Sequence, residues 1–259
     1  MTRLSVNVNK IALLRNARGG RIPDLMHLAD VALEAGAHGI TVHPRPDLRH
    51  VRPGDVAALA RHLRARWQDR EFNVEGNPFE GARENGYPGF LELVEAAVPA
   101  QVTLVPDAPG QLTSDHGFRP GEDAARLRPI VERLQALQCR VSLFMDPDPE
   151  ELRRVPDTGA DRVELYTGPY AEVAAGGDGA RLLDAHAAAA ELVRGLGLGV
   201  NAGHDLDLHN LAAYAAAVVP DEVSIGHALV ADALERGLAP TVRAYLEALG
   251  APAAGAASP

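Results

Sequence analysis

The feature of the sequence that most constrains its fold is a regular alternation of short β-branched runs with longer stretches of helical spacing. Eight runs have the length and composition of strands: Leu4–Val8, Gly39–His43, Arg70–Glu75, Gln101–Val105, Arg140–Asp146, Asp161–Tyr166, Leu198–Ala202 and Glu222–Ile225. Helices are predicted between or after them: Asp24–Ala35, Gly54–Arg66, Phe90–Val98, Glu122–Leu137, Ala180–Leu196, His209–Val218, Leu229–Arg236 and Pro240–Leu249. Eight strand–helix units in a chain of 259 residues predict a (β/α)₈ barrel, the TIM barrel of the α/β class.

A doubly wound open sheet is the alternative α/β architecture, and it usually has fewer strands or a glycine fingerprint after the first strand. The chain has eight predicted strands and no such fingerprint. Because no linker-like stretch divides it, residues 1–250 are predicted to form a single barrel domain. The small, Pro- and Gly-rich end of the chain predicts a disordered tail over residues 251–259.

Charge and cysteine content exclude several classes of function. The formal net charge of −10 argues against binding to nucleic acid or to an anionic membrane surface. The single cysteine, Cys139, excludes an intrachain disulfide and a cysteine-rich metal site, and is typical of a reducing compartment. No apolar run approaches the roughly 20 residues that a membrane-spanning helix needs, and the first residues lack the apolar region of a signal peptide. We therefore expect a cytoplasmic protein.

Polar side chains are concentrated at the carboxyl ends of the predicted strands, where barrel enzymes carry their active sites. Alternate residues of a barrel strand point inward, and His204 and His227 follow the seventh and eighth strands. The other inward polar positions are Asn7, Asn9, Thr41, His43, Glu71, Asn73, Glu75, Glu164 and Tyr166. Each residue alone has an ordinary structural explanation, but their agreement across at least five strands predicts a functional site at this rim.

Two glycine–histidine pairs indicate that the site binds phosphate. They occur in "AGHDL" after the seventh strand and in "IGHAL" after the eighth, where phosphate-binding barrels commonly place their anion loops. Gly203 and Gly226 allow backbone N–H groups to approach an anion closely. The arginines of "LRNARGG" and "HPRPDLRH" are candidates for a second anion site. Two anion sites predict a pair of phosphorylated substrates or one doubly phosphorylated substrate.

Three further points stay open from the residues themselves. Lys10, the only lysine, follows the first strand, so a Schiff-base aldolase is one alternative and a non-catalytic sugar-phosphate binding protein is another. The histidines show neither a His-x-His nor an HExxH spacing, so no metal is predicted. The Gly- and Pro-rich loop over residues 76–90 fits a mobile lid and an ordinary surface loop about equally.

Seven segments, in order along almost the whole chain, resemble the pyridoxine 5′-phosphate synthase family of the deoxyxylulose-dependent vitamin B6 pathway. They are "VNVNKIALLRNARGG", "GITVHPRPDLRHV", "REFNVEG", "QVTLVPDAPGQLTSDHG", "VSLFMD", "VNAGHDL" and "SIGHALVADAL". The resemblance implies a (β/α)₈ barrel with additional helices, assembled as a homo-oligomer (an octamer built as a tetramer of dimers). It implies condensation of 3-amino-2-oxopropyl phosphate with 1-deoxy-D-xylulose 5-phosphate to pyridoxine 5′-phosphate, phosphate and water, with no metal or organic cofactor.

The resemblance also implies roles for individual residues. His43 and Glu71 correspond to acid/base groups, His204 to the proton donor, and Glu164 to a group that supports charged intermediates. The implied contacts to the amino-ketone phosphate are Asn7, Arg18, the backbone N–H of Asp205, Gly226 and His227. Those to deoxyxylulose phosphate are Asn9, Lys10, Arg45, His50 and Thr113. The inward pattern alone favours Glu75, nearer the rim, whereas the resemblance favours Glu71.

The chain departs from the family pattern at three places. Asn9 and Lys10 stand where well-known members carry Asp and His, and Asp205 stands where they carry glycine. Tyr166 replaces a histidine in the segment "ELYTG". Because His43, Glu71 and His204 are all present, these departures indicate a subgroup rather than loss of the site.

Overall fold

Eight parallel strands close into a barrel in the computed structural model, which describes residues 1–108, 110–174 and 177–250. Each strand pairs with the next along the chain, and the eighth pairs with the first. The strands are β1 (Arg3–Asn7), β2 (Gly39–Val42), β3 (Glu71–Gly76), β4 (Gln101–Leu104), β5 (Arg140–Met145), β6 (Arg162–Tyr166), β7 (Gly199–Gly203) and β8 (Glu222–Ile225). The predicted (β/α)₈ barrel is confirmed.

Helices surround the barrel, and two of them follow the last strand. Those of the described residues are α1 (Asn9–Asn16), α2 (Leu25–Glu34), α3 (Pro53–Arg66), α4 (Phe90–Ala97), α5 (Pro120–Ala136), α6 (Pro149–Leu152), α7 (Gly168–Val173), α8 (Gly177–Gly195), α9 (Leu211–Val218), α10 (His227–Arg236) and α11 (Leu238–Ala248). The short helices α1, α6 and α7 were not predicted; each lies in a connection that follows a strand.

The apolar core lies between the strands and the helices, whereas the inside of the barrel is polar. Barrel interiors are usually filled by branched aliphatic side chains. Here the aliphatic positions of the strands, such as Leu4, Val6, Ile40 and Val42, are buried on the helix side. The buried inward positions are mostly polar: Ser5, Thr41, Asn73, Gln101, Thr103, Ser142, Glu164, Asn201, Glu222 and Ser224. The alternation of strand side chains thus supplies an apolar shell and a polar interior from the same segments.

A buried carboxylate joins α2 to α3 on the outside of the barrel. Asp24 begins α2 by accepting hydrogen bonds from the N–H groups of Met26 and His27. Six residues later, Asp30 accepts a hydrogen bond from Trp67 Nε1 at 2.7 Å and lies 2.7 Å from Nε2 of His62. These polar contacts join two helices that are neighbours on the outside of the barrel.

Two predictions, the disordered tail and the single domain, are not tested by the structure. Residues 251–259, predicted to be a disordered tail, lie outside the described part of the chain, and the single domain over residues 1–250 stays a prediction. Among the described residues, no helix combines the length and the apolar character needed to cross a bilayer.

Candidate active site

A cavity of about 470 Å³ opens at the carboxyl ends of the strands, where the sequence predicted a site. It collects residues from loops that are far apart in the chain, because all eight strands run in the same direction. The predicted residues that line it are Asn7, Asn9, Lys10, His43, Arg45, His50, Thr113, Glu164, His204, Asp205, Gly226 and His227. Glu75, Ser224 and Phe144 also line it.

The structure does not bring Glu71 into this cavity, so its prediction as a catalytic acid/base group is wrong on position. Glu71 begins β3 at the opposite end of the barrel and bridges Arg3 and Arg140. Burial alone would raise the pKa of Glu71, but hydrogen bonds and charge from the two arginines hold it below its usual value. Glu75 lies four residues farther along the same face of β3, about 13 Å nearer the rim.

Glu75 occupies the place in the cavity that was expected for Glu71. Its Oε2 accepts a hydrogen bond from Asn7 Nδ2 at 3.3 Å, and its Oε1 accepts one from Ser224 Oγ at 3.2 Å. Burial, together with the negative charge of Glu164, raises the pKa of Glu75 well above its ordinary value. A carboxyl group in this environment holds a proton at a pH where an exposed glutamate has lost it.

Glu164 is the second buried acid of the interior. It accepts a hydrogen bond from Thr103 Oγ1 at 3.3 Å, and burial, reinforced by the charge of Glu222, raises its pKa to about 8. Gly203 on the neighbouring β7 makes room for it, since a Cβ at that position would lie 2.3 Å from Oε1 of Glu164. The glycine of the "AGHDL" segment is therefore required by the packing of an acid as well as by the expected approach of an anion.

His43 follows directly on β2 and is held at both its backbone and its ring. Its backbone N–H donates to Asn9 Oδ1 at 2.9 Å, and the N–H of Asn9 donates to Asn7 Oδ1 at 3.0 Å. Ring Nδ1 lies 3.9 Å from Glu75 Oε2. Burial, with the positive charges of Arg45 and Arg49, lowers the pKa of His43 well below its ordinary value. The ring is therefore neutral near pH 7 and able to accept a proton.

Asp107 is a residue of this site that sequence reasoning missed. It is buried in the loop after β4, with Oδ2 3.3 Å from His43 Nε2 and 2.5 Å from Nη2 of Arg45. Burial raises the pKa of Asp107, and the charge of Arg45 opposes this effect. Thr103 points inward on β4, and every second residue beyond it, at positions 105 and 107, continues the same face. The alternation of the strand therefore could have predicted Asp107 as an inward residue.

His204 is held on the opposite side of the cavity by a strained turn. β7 ends at Gly203, and the next two residues lie in the left-handed region, with φ of +81° for His204 and +51° for Asp205. Ring Nε2 lies 2.6 Å from Thr113 Oγ1, and Nδ1 lies 2.6 Å from Oδ2 of Asp205. The Tyr166 ring packs edge-on against this imidazole, with 5.4 Å between the ring centroids.

Comparison with known proteins agrees with this arrangement. A family model described as pyridoxal phosphate biosynthesis protein PdxJ matches residues 4–251. The chain belongs to the PdxJ family. Its relatives include a pyridoxine 5′-phosphate synthase from Xanthomonas campestris pv. campestris, 58% identical over 95% of each chain. Another from Xylella fastidiosa is 53% identical over 96% of this chain and 95% of the relative. The resemblance drawn from the seven segments is confirmed.

Solved structures at low identity share the fold of this PdxJ protein. The tryptophan synthase α-subunit of Pyrococcus furiosus superposes with a TM-score of 0.63 at 15% identity, over 96% of this chain and 98% of that one. Phosphoribosyl anthranilate isomerase from Thermotoga maritima gives a TM-score of 0.55 at 12% identity, over 96% and 99%. At these identities the likeness establishes the barrel alone.

Two arginines of the segments "LRNARGG" and "HPRPDLRH" differ in their relation to the cavity. Arg18 is exposed in the segment after α1 and does not line the cavity. Arg49 lines the cavity and donates to the backbone carbonyls of Gln111 and Leu112 and to Asp47. It thereby fastens the loop after β2 to the loop after β4, beside Arg45.

The cavity has cationic and backbone donors. Gly226 precedes α10, so the first N–H groups of that helix face the same end of the barrel. Arg45, His50 and Lys10 also line the cavity. Burial and neighbouring positive groups lower the pKa of His50 to about 3, so its ring is neutral. This PdxJ cavity is therefore suited to two anionic groups beside buried acid/base side chains.

Proposed function

We propose that this chain condenses 3-amino-2-oxopropyl phosphate with 1-deoxy-D-xylulose 5-phosphate to give pyridoxine 5′-phosphate, inorganic phosphate and water. The observation that carries the proposal is the set of four acid/base groups in one cavity: His43, Glu75, Glu164 and His204. Burial lowers the pKa of His43 and raises the pKa values of Glu75 and Glu164, so these neighbouring groups differ in protonation, as a sequence of proton transfers requires. The relatives named pyridoxine 5′-phosphate synthase support the same activity.

The two phosphates have different partners in this proposal. The amino-ketone phosphate lies at Gly226 and His227, where backbone N–H groups at the start of α10 and the amide of Asn7 meet. Deoxyxylulose phosphate lies at Arg45 and His50, with Asn9, Lys10 and Thr113 as further contacts in the same cavity. Arg18 is proposed as a further contact to the amino-ketone phosphate, although it lies outside the cavity in this structure. The substrates then meet over the buried carboxyl groups.

The first bond forms between the two substrates, so the enzyme need not supply an amine. The substrate amine attacks the ketone carbon of deoxyxylulose phosphate, and loss of water leaves a C=N bond. Loss of phosphate and water, ring closure and aromatisation follow, and each step moves protons between carbon and oxygen or nitrogen. These steps require groups that both accept and release protons.

The pKa directions assign the starting protonation of these groups. The low pKa of His43 makes its ring a proton acceptor at neutral pH, and the raised pKa of Glu75 lets that carboxyl group donate a proton and take one back. His204 is proposed as the donor to a leaving oxygen. Glu164, with a pKa of about 8, exchanges between neutral and charged forms near neutrality and so responds to positive charge on the intermediates.

A direct assay tests the proposal. The purified protein is supplied with both phosphorylated substrates, with either one omitted as the control, and pyridoxine 5′-phosphate is followed by absorbance and mass. Formation of product only with both substrates is the expected result, and no product with fresh substrates would refute the proposal. A His43→Asn variant should lose turnover while still binding inorganic phosphate.

A lysine-dependent aldolase is the second candidate, because Lys10 lines the cavity. Borohydride treatment in the presence of a ketose phosphate would then leave a covalent adduct on Lys10, measurable by peptide mass. Trapping of this adduct together with an inactive Lys10→Ala enzyme favours the aldolase. Absence of the adduct with an active Lys10→Ala enzyme favours the condensation.

We also propose that the chain works in the cytoplasm as a homo-oligomer. The apolar side chains of Leu14, Ile22 and Leu234 are 56%, 85% and 76% exposed, which supports association with another copy. Sedimentation velocity of the purified protein tests this, and a single species at the monomer mass of 27.4 kDa would contradict it.

A further inference from the structure

The residue after His204 is in contact with the imidazole ring in a way that its backbone role does not require. Asp205 was expected to contribute its backbone N–H to a phosphate site. Its side chain instead lies with Oδ2 2.6 Å from Nδ1 of His204. On the far side of the ring, Nε2 lies 2.6 Å from Thr113 Oγ1. The imidazole is thus held at both nitrogens, in a row of three side chains.

We propose that Asp205 is a positioning residue for His204, which fixes the ring with its Nδ1 proton toward the carboxylate and its Nε2 beside Thr113 in the lining of the cavity. The role rests on the proposed synthase reaction, in which His204 is the proton donor. A carboxylate oxygen can only accept, so Nδ1 must carry the hydrogen of this contact. Nε2 is then the nitrogen that gains a proton from the reaction and returns it.

The electrostatic surroundings support a charged Asp205. The hydrogen bond to His204 lowers the pKa of Asp205, and the positive charges of His227 and Lys10 act in the same direction. A carboxylate beside Nδ1 accepts the hydrogen of that nitrogen and so holds the ring in one orientation. The other groups that face His204 are the Tyr166 ring and, across the cavity, His43. Neither supplies a negative charge at neutral pH, so Asp205 is the acidic partner among the described contacts of this ring.

A purely structural role explains Asp205 less well. Its φ of +51° is a conformation that glycine adopts without strain and that other residues adopt at a cost. The turn is already held by Thr167, whose hydroxyl donates to the carbonyls of Gly203 and His204. A carboxylate next to a phosphate site also opposes anion binding. Asp205 is therefore costly for both folding and substrate binding, and its contact with the ring supplies a compensating function.

Two substitutions separate the charge from the side chain. Asp205→Gly keeps the backbone N–H and relieves the left-handed strain but removes the contact. Asp205→Asn tolerates positive φ and keeps a polar group beside Nδ1 but removes the charge. Glu191→Gln, an exposed acid on α8, is the matched control for loss of one negative charge. Thermal unfolding of all variants shows whether the fold is retained, and Asp205→Gly should be at least as stable as the original chain.

The first readout is independent of turnover. In the resting protein, ¹⁵N NMR of the imidazole should show the Nδ1-protonated tautomer for His204, with loss of this preference in Asp205→Gly. The second readout is the kinetics: kcat should fall about 10-fold to 100-fold in both variants, a part of what a positioned acid contributes. KM for the substrates should stay the same or decrease. The pH dependence of kcat should also differ between the original chain and both variants, because each variant lacks the carboxylate that contacts the ring.

The outcomes distinguish this inference from the proposed function. An active original chain with unchanged kcat, pH profile and tautomer in both variants overturns the role of Asp205 and leaves the function in place. If the original chain makes no pyridoxine 5′-phosphate, the function fails, and the tautomer measurement still decides whether Asp205 orients the ring. A rise in KM with kcat unchanged would assign Asp205 to substrate binding and also refute the positioning role.

Discussion

Oε2 of Glu75 lies 3.9 Å from Nδ1 of His43 inside the mouth of the barrel. Burial shifts the pKa values of the two groups in opposite directions: it lowers the pKa of His43 and raises the pKa of Glu75. Burial thus favours the neutral ring of His43 and the protonated carboxyl group of Glu75. Glu71, on the same strand, has none of these features, because its arginine partners keep it charged at the far end of the barrel.

Glu75→Gln should abolish most turnover while the protein stays folded. The amide fills the same space and can still contact Ser224 and Asn7, but it cannot transfer a proton. We expect kcat to fall about 10²-fold to 10⁴-fold, the usual contribution of a positioned acid/base group. Steady-state kinetics with both substrates, together with circular dichroism, measures this. Turnover within twofold of the original chain would remove Glu75 from the mechanism.

Glu71→Gln should have the opposite effect. The substitution leaves Arg3 and Arg140 without their shared carboxylate, so the free energy of unfolding should decrease by about 1–3 kcal/mol. The kcat of the folded enzyme should be retained, since the cavity does not contain this residue. Denaturant unfolding and kinetics on the same preparation provide the test. A large loss of kcat with unchanged stability would return the acid/base role to Glu71.

Asp107→Asn should impair two residues of the loop after β2: His43 in proton transfer and Arg45 in phosphate binding. The carboxylate contacts Nε2 of His43 and the guanidinium of Arg45, so its loss frees both side chains. We expect kcat to fall about 10-fold or more and KM for deoxyxylulose phosphate to change, while KM for the amino-ketone phosphate stays constant. Asp115→Asn, at an exposed position of the same loop, is the control. Equal kinetics of the two variants would show that Asp107 has no role at the site.

Protonation of a buried histidine should reduce stability in mild acid. His186 lies 2.9 Å from the Tyr214 hydroxyl, and burial lowers its pKa to about 4 from an ordinary 6.5. Below pH 6.5 the unfolded chain therefore binds a proton that the folded chain refuses, and the free energy of unfolding falls as pH decreases toward 4. The full effect of this one residue is about 3 kcal/mol.

His186→Gln should flatten part of this dependence. His43 and His50 also have lowered pKa values and contribute the same slope in both proteins, so the difference between the two curves isolates His186. The measurement is denaturant unfolding at pH 4.5 to 7.5, with His27→Gln at an exposed position as the control. Parallel curves for the original chain and His186→Gln would contradict the prediction.

Much of the architecture followed from residue order. The eight predicted strands agree with the observed ones to within a residue or two at most ends, because β-branched runs and inward alternation are local properties. The same alternation predicted the rim residues His43, Glu164 and His204, since parallel strands bring their carboxyl ends to one place. Of the fourteen site residues predicted, Glu71 and Arg18 lie outside the cavity.

The error at Glu71 shows the limit of motif matching. Glu71 and Glu75 both face inward on β3, and both lie next to "FNV", so either could be aligned with an expected glutamate. The inward pattern alone favoured Glu75 because it is nearer the carboxyl end of the strand, whereas the resemblance favoured Glu71. The barrel decided it, because pairing of β3 with β2 and β4 sets how far each residue lies from the mouth.

The sequence by itself determined the class of fold, the end of the barrel that carries the site and most of the side chains delivered there. These depend on short-range periodicity and on strand direction. Only the tertiary structure decided which glutamate meets His43, that Asp107 joins it to Arg45, and that Asp205 turns its carboxylate onto His204. Those contacts join separate loops or depend on a left-handed turn, so their geometry exists only after the barrel has closed.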